Sequence, residues 1–355
     1  MNRVEQVRIR MKQYDVNALL ISSQSNVYYV SGFYAEAGVA NILLTQEHAY
    51  LMSDGRFMTE AQDMTTGFNI VRWHKNMYTD MGELIEHLGI STVVIDDEDL
   101  SYAQVSTLLL HTKAAIIRAP KLIEELRSIK SKDELACIRE ACHIADEAFQ
   151  EVLNFIRPGV SEQAVCNELE FQMRKRGAAT CSFEIIVASG ARGALPHGVA
   201  SEKRIELGDM VTMDFGALYH HYCSDITRTV AIGKPNDELV RIYGIVKETQ
   251  QRMSNALRQG IISKDLEFIG RSFIEENGFQ LIHGPGHSFG LDIHEAPFIS
   301  SSSDYAFEEG VVVTLEPGIY VPGLGGIRIE DDYLVMKNGC VQLTQADKEL
   351  IILPF

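Results

Sequence analysis

The sequence has no basic surplus, no long apolar run and no cysteine pair, and each absence removes a class of function. Its 32 Lys and Arg stand against 49 Asp and Glu, a net charge of −17 with a pI near 5.1. A chain this acidic cannot neutralise a phosphate backbone, so no nucleic-acid partner is expected. Acidity of this degree otherwise serves solubility. No stretch approaches the roughly 18 consecutive apolar residues that a bilayer demands, so no membrane association is expected. The N-terminal residues, Asn2-Arg-Val-Glu-Gln-Val-Arg8, are polar and amphipathic and do not read as a signal peptide. Cys137, Cys142, Cys166, Cys181, Cys223 and Cys340 contain no C-x-x-C and no zinc-finger spacing. They are too sparse for a disulfide scaffold, and reduced thiols in a cytoplasmic protein are the simplest account. A Gly-rich phosphate loop is missing from the N-terminal third, which argues against a dinucleotide role.

What is there is ordinary globular composition, 46% apolar and 23% charged, in a chain of 355 residues. That length predicts two domains. Through about residue 118, short apolar runs alternate with helical patterns: helices over 3–14, 26–32, 79–88 and 101–110, and strands at 18–22, 41–44, 49–52, 68–72, 92–95 and 115–117. This alternation predicts an α/β layer domain. The charged segment Glu124–Glu134 interrupts it, and we place the boundary within 118–131, dividing the chain into residues 1–125 and 126–355. Ser131 or Lys132 opens a long helix to about Phe155, with Leu135, Ile138, Ala141, Ile144, Ala145 and Phe149 at helical spacing, and Pro158-Gly159 ends it. Ser161 opens a second helix to about Arg176. Strands follow at 183–188, 210–218 and 223–232, then helices at about 236–258 and 264–277, then strands at 311–321 and 327–336. That order is α+β rather than βαβ winding.

The residues that carry chemistry sit singly in apolar strands. A hairpin turning between Tyr219 and His220 sets Asp214 directly opposite Asp225. A second hairpin, closing through Pro322–Gly326, sets Glu316 opposite Glu330. Opposed like charges destabilise a sheet, and two partly buried carboxylates resist joint ionisation. A divalent cation removes both penalties. Any one of these acids alone reads as a solvent-facing strand residue, whereas two acid pairs with His287 nearby read as a site. Four carboxylates and one imidazole suit Mn2+, with Co2+ or Zn2+ as alternatives, and two ions would balance the four negative charges.

Three other patterns lead nowhere. Gly286-His-Ser288-Phe-Gly290 matches a nucleophile elbow, but no histidine lies beyond His294 to complete a triad. Asp214-Phe-Gly216 lacks the other kinase elements, and His294-Glu295 lacks a second histidine. His220 and His221 fall in the predicted turn and read as solvated.

At these residues, over about 130–355, the sequence resembles the pita-bread metallopeptidases, the family of methionine aminopeptidase, prolidase and aminopeptidase P. The segments Ala194-Leu-Pro-His197-Gly, Gly-Leu-Asp-Ile-His294-Glu and Glu316-Pro-Gly-Ile-Tyr320 resemble its proline-directed branch, and the first ~120 residues resemble the creatinase-type N-terminal domain of that branch. The resemblance implies an α+β pita-bread catalytic domain behind a smaller α/β domain. It implies two divalent ions held by Asp214, Asp225, His287, Glu316 and Glu330, with a bridging hydroxide as nucleophile. It implies Glu316 as general base, His294 on the tetrahedral intermediate, His197 beside the scissile peptide, His283 at the proline pocket, and Arg328 and Tyr320 supporting the carboxylates. Proline-containing peptides as substrates and a homodimer follow from the same resemblance. Pro297 is followed by Phe298, and residues 299–304 hold no arginine to anchor a dipeptide's free carboxylate. That absence leans the expectation to aminopeptidase P over prolidase.

Overall fold

A computed structural model describes residues 2–95, 99–118 and 120–355. The chain divides into two compact units, Met1–Arg127 and Ser128–Phe355. Ala119, inside the expected boundary segment, lies outside the described residues.

The N-terminal unit is a six-stranded mixed sheet. Its strand order is Asn69–Arg72, Ala49–Ser53, Ala40–Thr45, Ala18–Ile21, Thr92–Ile95 and Ala115–Arg118. Ala18–Ile21 is buried throughout, as a central strand covered on both faces must be. Helix Arg3–Gln13 starts where the Asn2 side chain accepts the Glu5 N–H, and it buries Val7 and Met11. Two short helices, Met58–Met64 and Leu122–Ser128, were not expected from the sequence. The first has no side-chain cap. The second carries Glu124, Glu125 and Arg127 on about two turns whose Leu122 and Ile123 are buried, so its charges hide its apolar side.

The C-terminal unit twice follows the order two helices, then strands. Helix Lys132–Phe155 opens with a capping box in which Ser131 and Glu134 satisfy each other's backbone N–H. It packs on helix Glu162–Lys175, and together they cover the sheet of Ile352–Leu353, Ile226–Ile232, Met210–Phe215 and Ile186–Ser189. Phe149 stacks on Phe215, with ring centroids 6.5 Å apart, directly behind the strand that ends beside Asp214. Helices Asp237–Ala256 and Ser263–Glu276 pack on each other beside the five-stranded sheet that carries His287 and Asp331–Met336. Among the described residues no helix is long and apolar enough to cross a membrane.

The two hairpins differ in how they meet expectation. In the first, Tyr219 pairs with Tyr222, and His220 and His221 form the tip with φ of 47° and 71°. Positive φ at both central residues is the two-residue turn whose twist matches the strands it joins. The turn therefore closes one residue later than expected, and Asp214 faces Thr227 rather than Asp225. A register change of two preserves the face on which a side chain points. In the second hairpin, Leu315 pairs with Asp331 and Gly318 with Arg328, so Glu316 and Glu330 sit opposite each other in one continuous register, as expected. The ladder opens between them. Pro317 has no N–H to give, the Glu316 N–H donates to Pro285 O at 2.9 Å, and the Glu330 N–H donates to Thr227 O at 3.1 Å.

Gly216 sits where Met210–Phe215 ends and Ala217 begins, and a Cβ there would lie 1.8 Å from Ser224 O. Gly216→Ala is expected to destabilise the protein by about 1–3 kcal/mol or more. A denaturation midpoint equal to wild type would contradict this close approach.

Candidate metal centre

Asp225, His287 and Glu330 each offer one ligand atom within 4.8 Å of the others, and all three are buried. His287 Nε2 lies 3.6 Å from Asp225 Oδ2 and 3.5 Å from Glu316 Oε1. Its Nδ1 lies 3.1 Å from Ser288 O, which makes Nδ1 the protonated nitrogen and leaves the Nε2 lone pair facing the acids. Arg328 draws Asp214 in, with Nη2 donating to Asp214 Oδ2 at 2.5 Å. The same guanidinium donates to Tyr320 Oη at 2.8 Å, to Pro196 O at 3.1 Å and to Thr227 Oγ1 at 3.1 Å. Tyr320 Oη in turn lies 3.0 Å from His283 Nε2. The His287 and His294 rings meet edge to face with centroids 4.5 Å apart.

These side chains line one cavity of about 550 Å³. All ten residues singled out in the sequence are on its wall: His197, Asp214, Asp225, His283, His287, His294, Glu316, Tyr320, Arg328 and Glu330. His197 and His294 are exposed at the mouth, and Phe183, Ile186 and Phe298 supply apolar wall.

Electrostatically the carboxylates are under strain. Burial, and then the Glu330 charge, push the Asp225 carboxyl well above the usual range. Burial and then Glu316 do the same to Glu330. Burial raises Glu316 to about 8, with Arg328 pulling it down and Asp214 pushing it up. Burial lowers His287 to about 4, which keeps its imidazole neutral and able to ligate at pH 7. Among the described residues, none donates a hydrogen bond to Asp214 Oδ1, Asp225 Oδ1 or Glu330 Oε1, although all three atoms are buried. Buried oxygens of this kind call for a partner. A set of hard oxygen donors with one imidazole, repelling one another and carrying unused lone pairs, fits divalent cations.

Several residues that shape the centre were not found in the sequence. Thr227 donates to Glu330 Oε2 at 2.6 Å, and its signal lay in the true register, where it faces Asp214. Asp332 accepts the Asp225 N–H at 3.0 Å. Arg228, fully buried, donates to Glu330 O at 2.5 Å and to Asp331 Oδ1 at 2.6 Å, fixing the backbone behind Glu330. Lys130 and Glu295 form a buried ion pair across 165 residues of sequence, which no local pattern announces.

The fold and the acid-lined cavity belong together in one class: the chain is a member of metallopeptidase family M24, matched over residues 136–337, preceded by a creatinase/prolidase N-terminal domain matched over 3–129. This is the pita-bread architecture and its proline-directed branch. An Xaa-Pro dipeptidase of Pyrococcus horikoshii is 39% identical over 98% of each chain. The solved structure of an Xaa-Pro dipeptidase from Bacillus anthracis is 43% identical over 99% of each chain, with a TM-score of 0.95. An X-Pro aminopeptidase structure from Thermotoga maritima is 34% identical, covering 97% of this chain and 99% of that one, with a TM-score of 0.88.

The raised Glu316 sets a pH dependence. Its folded value, about 8, exceeds its ordinary 4.5, so between those values the folded chain holds a proton that the unfolded chain has lost. Stability contributed by that proton is complete below pH 4.5 and is lost as pH rises towards 8. Chelator-stripped protein is expected to melt at falling temperatures from pH 5 to 8, and stripped Glu316→Gln to show a shallower fall. Identical slopes would contradict the assignment.

Proposed function

We propose that this chain is an Xaa-Pro dipeptidase that uses two divalent ions, most fittingly Mn2+, held by Asp214, Asp225, His287, Glu316 and Glu330. The observation that carries the reading is the convergence of these five groups with His197, His283 and His294 on one cavity. Full-length similarity to chains described as Xaa-Pro dipeptidases favours the dipeptidase over the aminopeptidase P expected from the sequence. A cytoplasmic setting is part of the same proposal, supported by six free thiols.

When bound, the ions would polarise the scissile carbonyl and lower the pKa of a water. The chain's own residues do the rest. His294, at the mouth and against His287, donates to the carbonyl oxygen as it gains charge. Glu316, on the cavity wall beside His287, takes up and passes on the proton that the attacking water gives up. His283 and Tyr320, hydrogen-bonded at 3.0 Å, form a firm wall for the proline ring, and Arg328 fixes both Tyr320 and Asp214. His197 lies beside the peptide at the entrance.

A second reading, an aminopeptidase acting on longer X-Pro peptides, is favoured by one observation. Arg328 is the one guanidinium among the described residues lining the cavity, and Asp214 and Tyr320 already engage it, which leaves no cation beside Phe298 for a free carboxylate. Comparing an X-Pro dipeptide with the matching X-Pro-Y tripeptide separates the two. We expect the higher kcat/KM for the dipeptide, and preference for the tripeptide would establish the second reading. Asp225→Asn is expected to keep its fold by circular dichroism and lose more than about 100-fold in kcat/KM, more than the loss of an outer partner costs. Wild-type turnover in that variant would refute the site.

A further inference from the structure

We propose that Lys130 is a positioning residue that holds His294 in place through Glu295, an inference that rests on the reading of His294 as the group that hydrogen-bonds the reacting carbonyl oxygen. Lys130 falls between the two matched ranges, which end at 129 and resume at 136. It is placed by the backbone: Ile129 bridges to Val311, and the Lys130 N–H donates to Gly310 O at 3.0 Å. Ile129 packs into the apolar cluster of Val311 and Val313. The Lys130 side chain, 1% exposed, reaches Glu295 instead.

Its ammonium donates to Glu295 Oε2 at 3.1 Å and to Ser288 Oγ at 3.4 Å. Glu295 Oε1 accepts the Asp292 N–H at 3.1 Å, and Ser288 Oγ donates to Val312 O at 2.8 Å. One buried cation therefore ties the side chains at the two ends of the loop 288–295 to each other and to the strand Val312–Leu315, beside a backbone held by the Ser288–Glu295 pairing and by the Cys223 N–H donating to Gly290 O at 2.8 Å. Gly290 lies against this ion pair. A Cβ there would sit 3.0 Å from Glu295 Oε1 and 3.1 Å from the Lys130 Cε, so the clip occupies the space a side chain would need.

The loop has His287 just before it and His294 at its end. His287 is held by its own hydrogen bonds, from the backbone N–H to Thr314 Oγ1 and from Nδ1 to Ser288 O. Among the described residues none hydrogen-bonds the His294 ring, so its position over His287 depends on where the 288–295 backbone is held. A buried ion pair adds little net stability compared with apolar residues of the same shape, but it fixes geometry through directed hydrogen bonds. Here the geometry fixed is that of an exposed ring at the mouth of the cavity. Lys130 thus acts on the reaction from a place where it touches neither substrate nor ligand.

The test is a cycle of Lys130→Met and His294→Ala in the metal-loaded enzyme, assayed on an X-Pro dipeptide. Lys130→Met is expected to lower kcat about 10–100-fold with KM within about threefold, as losses of outer hydrogen-bond partners do. Metal content per chain is expected to stay at the wild-type value. In the His294→Ala background the same substitution is expected to cost less than about twofold, because the group it positions is already gone. An equal loss in both backgrounds, or a fall in metal content, would overturn the proposal in favour of a structural role. His294→Ala turning over at the wild-type rate would overturn the reading of His294 itself, and the proposal with it. If Lys130→Met does not fold, Lys130→Met/Glu295→Met removes both charges and takes its place in the cycle, with the same two outcomes.

Discussion

The repulsion among Asp225, Glu316 and Glu330 is the constraint around which the C-terminal unit is arranged. All three carboxyls are pushed above their ordinary range, and burial is the leading cause for each. Placing several acids in a dry site is costly unless something compensates them. The protein supplies only part of the compensation. Thr227 gives Glu330 one hydrogen bond, and Arg328 gives Asp214 an ion pair, yet one oxygen each of Asp214, Asp225 and Glu330 receives none from the described residues. A site left unbalanced in this way is shaped for cations, and membership of a metallopeptidase family accords with that chemistry.

The backbone shows how such a cluster is held open. Glu316 and Glu330 occupy the gap in a single long hairpin, where Pro317 interrupts the ladder and each acid's N–H turns to a different neighbour, Pro285 or Thr227. Asp225 follows Ser224 at the irregular start of Ile226–Ile232, where its N–H is taken by Asp332. Asp225, Glu316 and Glu330 thus stand at breaks in regular pairing, whereas Asp214 lies within the regular ladder between Ile186 and Thr227. Arg228 secures the same region from behind through Glu330 O and Asp331. Rigid placement lets the repulsion persist instead of relaxing by backbone movement.

Much of this was legible in the sequence. The apolar periodicity of Lys132–Phe155 and the runs at Met210–Phe215 and Ile226–Ile232 depend on local residues, and local residues suffice to read them. The Glu316–Glu330 hairpin could be read from its glycines. The Asp214 register could not, because the turn at His220 and His221 needs two residues in the left-handed region and neither is glycine. The error was even-numbered, so the face remained right while the partner was wrong. Lys130 reads as part of the charged segment Glu124–Glu134, since its partner Glu295 lies far along the chain and nothing local distinguishes a buried lysine from a solvated one. The missing arginine after Pro297 leans the sequence reading to longer peptides, whereas full-length relatives of the chain are described as Xaa-Pro dipeptidases. A single absent side chain is weak ground when the rest of a cavity can reshape a subsite.

At the proposed two-cation site the carboxyls give up protons when the ions enter. Calorimetric titration of Mn2+ into chelator-stripped protein near pH 7, repeated in buffers of different ionisation enthalpy, measures both ion count and proton release. Two ions per chain and a net release of protons are expected, because Glu316 with a value of about 8 is protonated before binding. Saturable binding of a single ion, or binding with no proton released, would contradict the two-cation site.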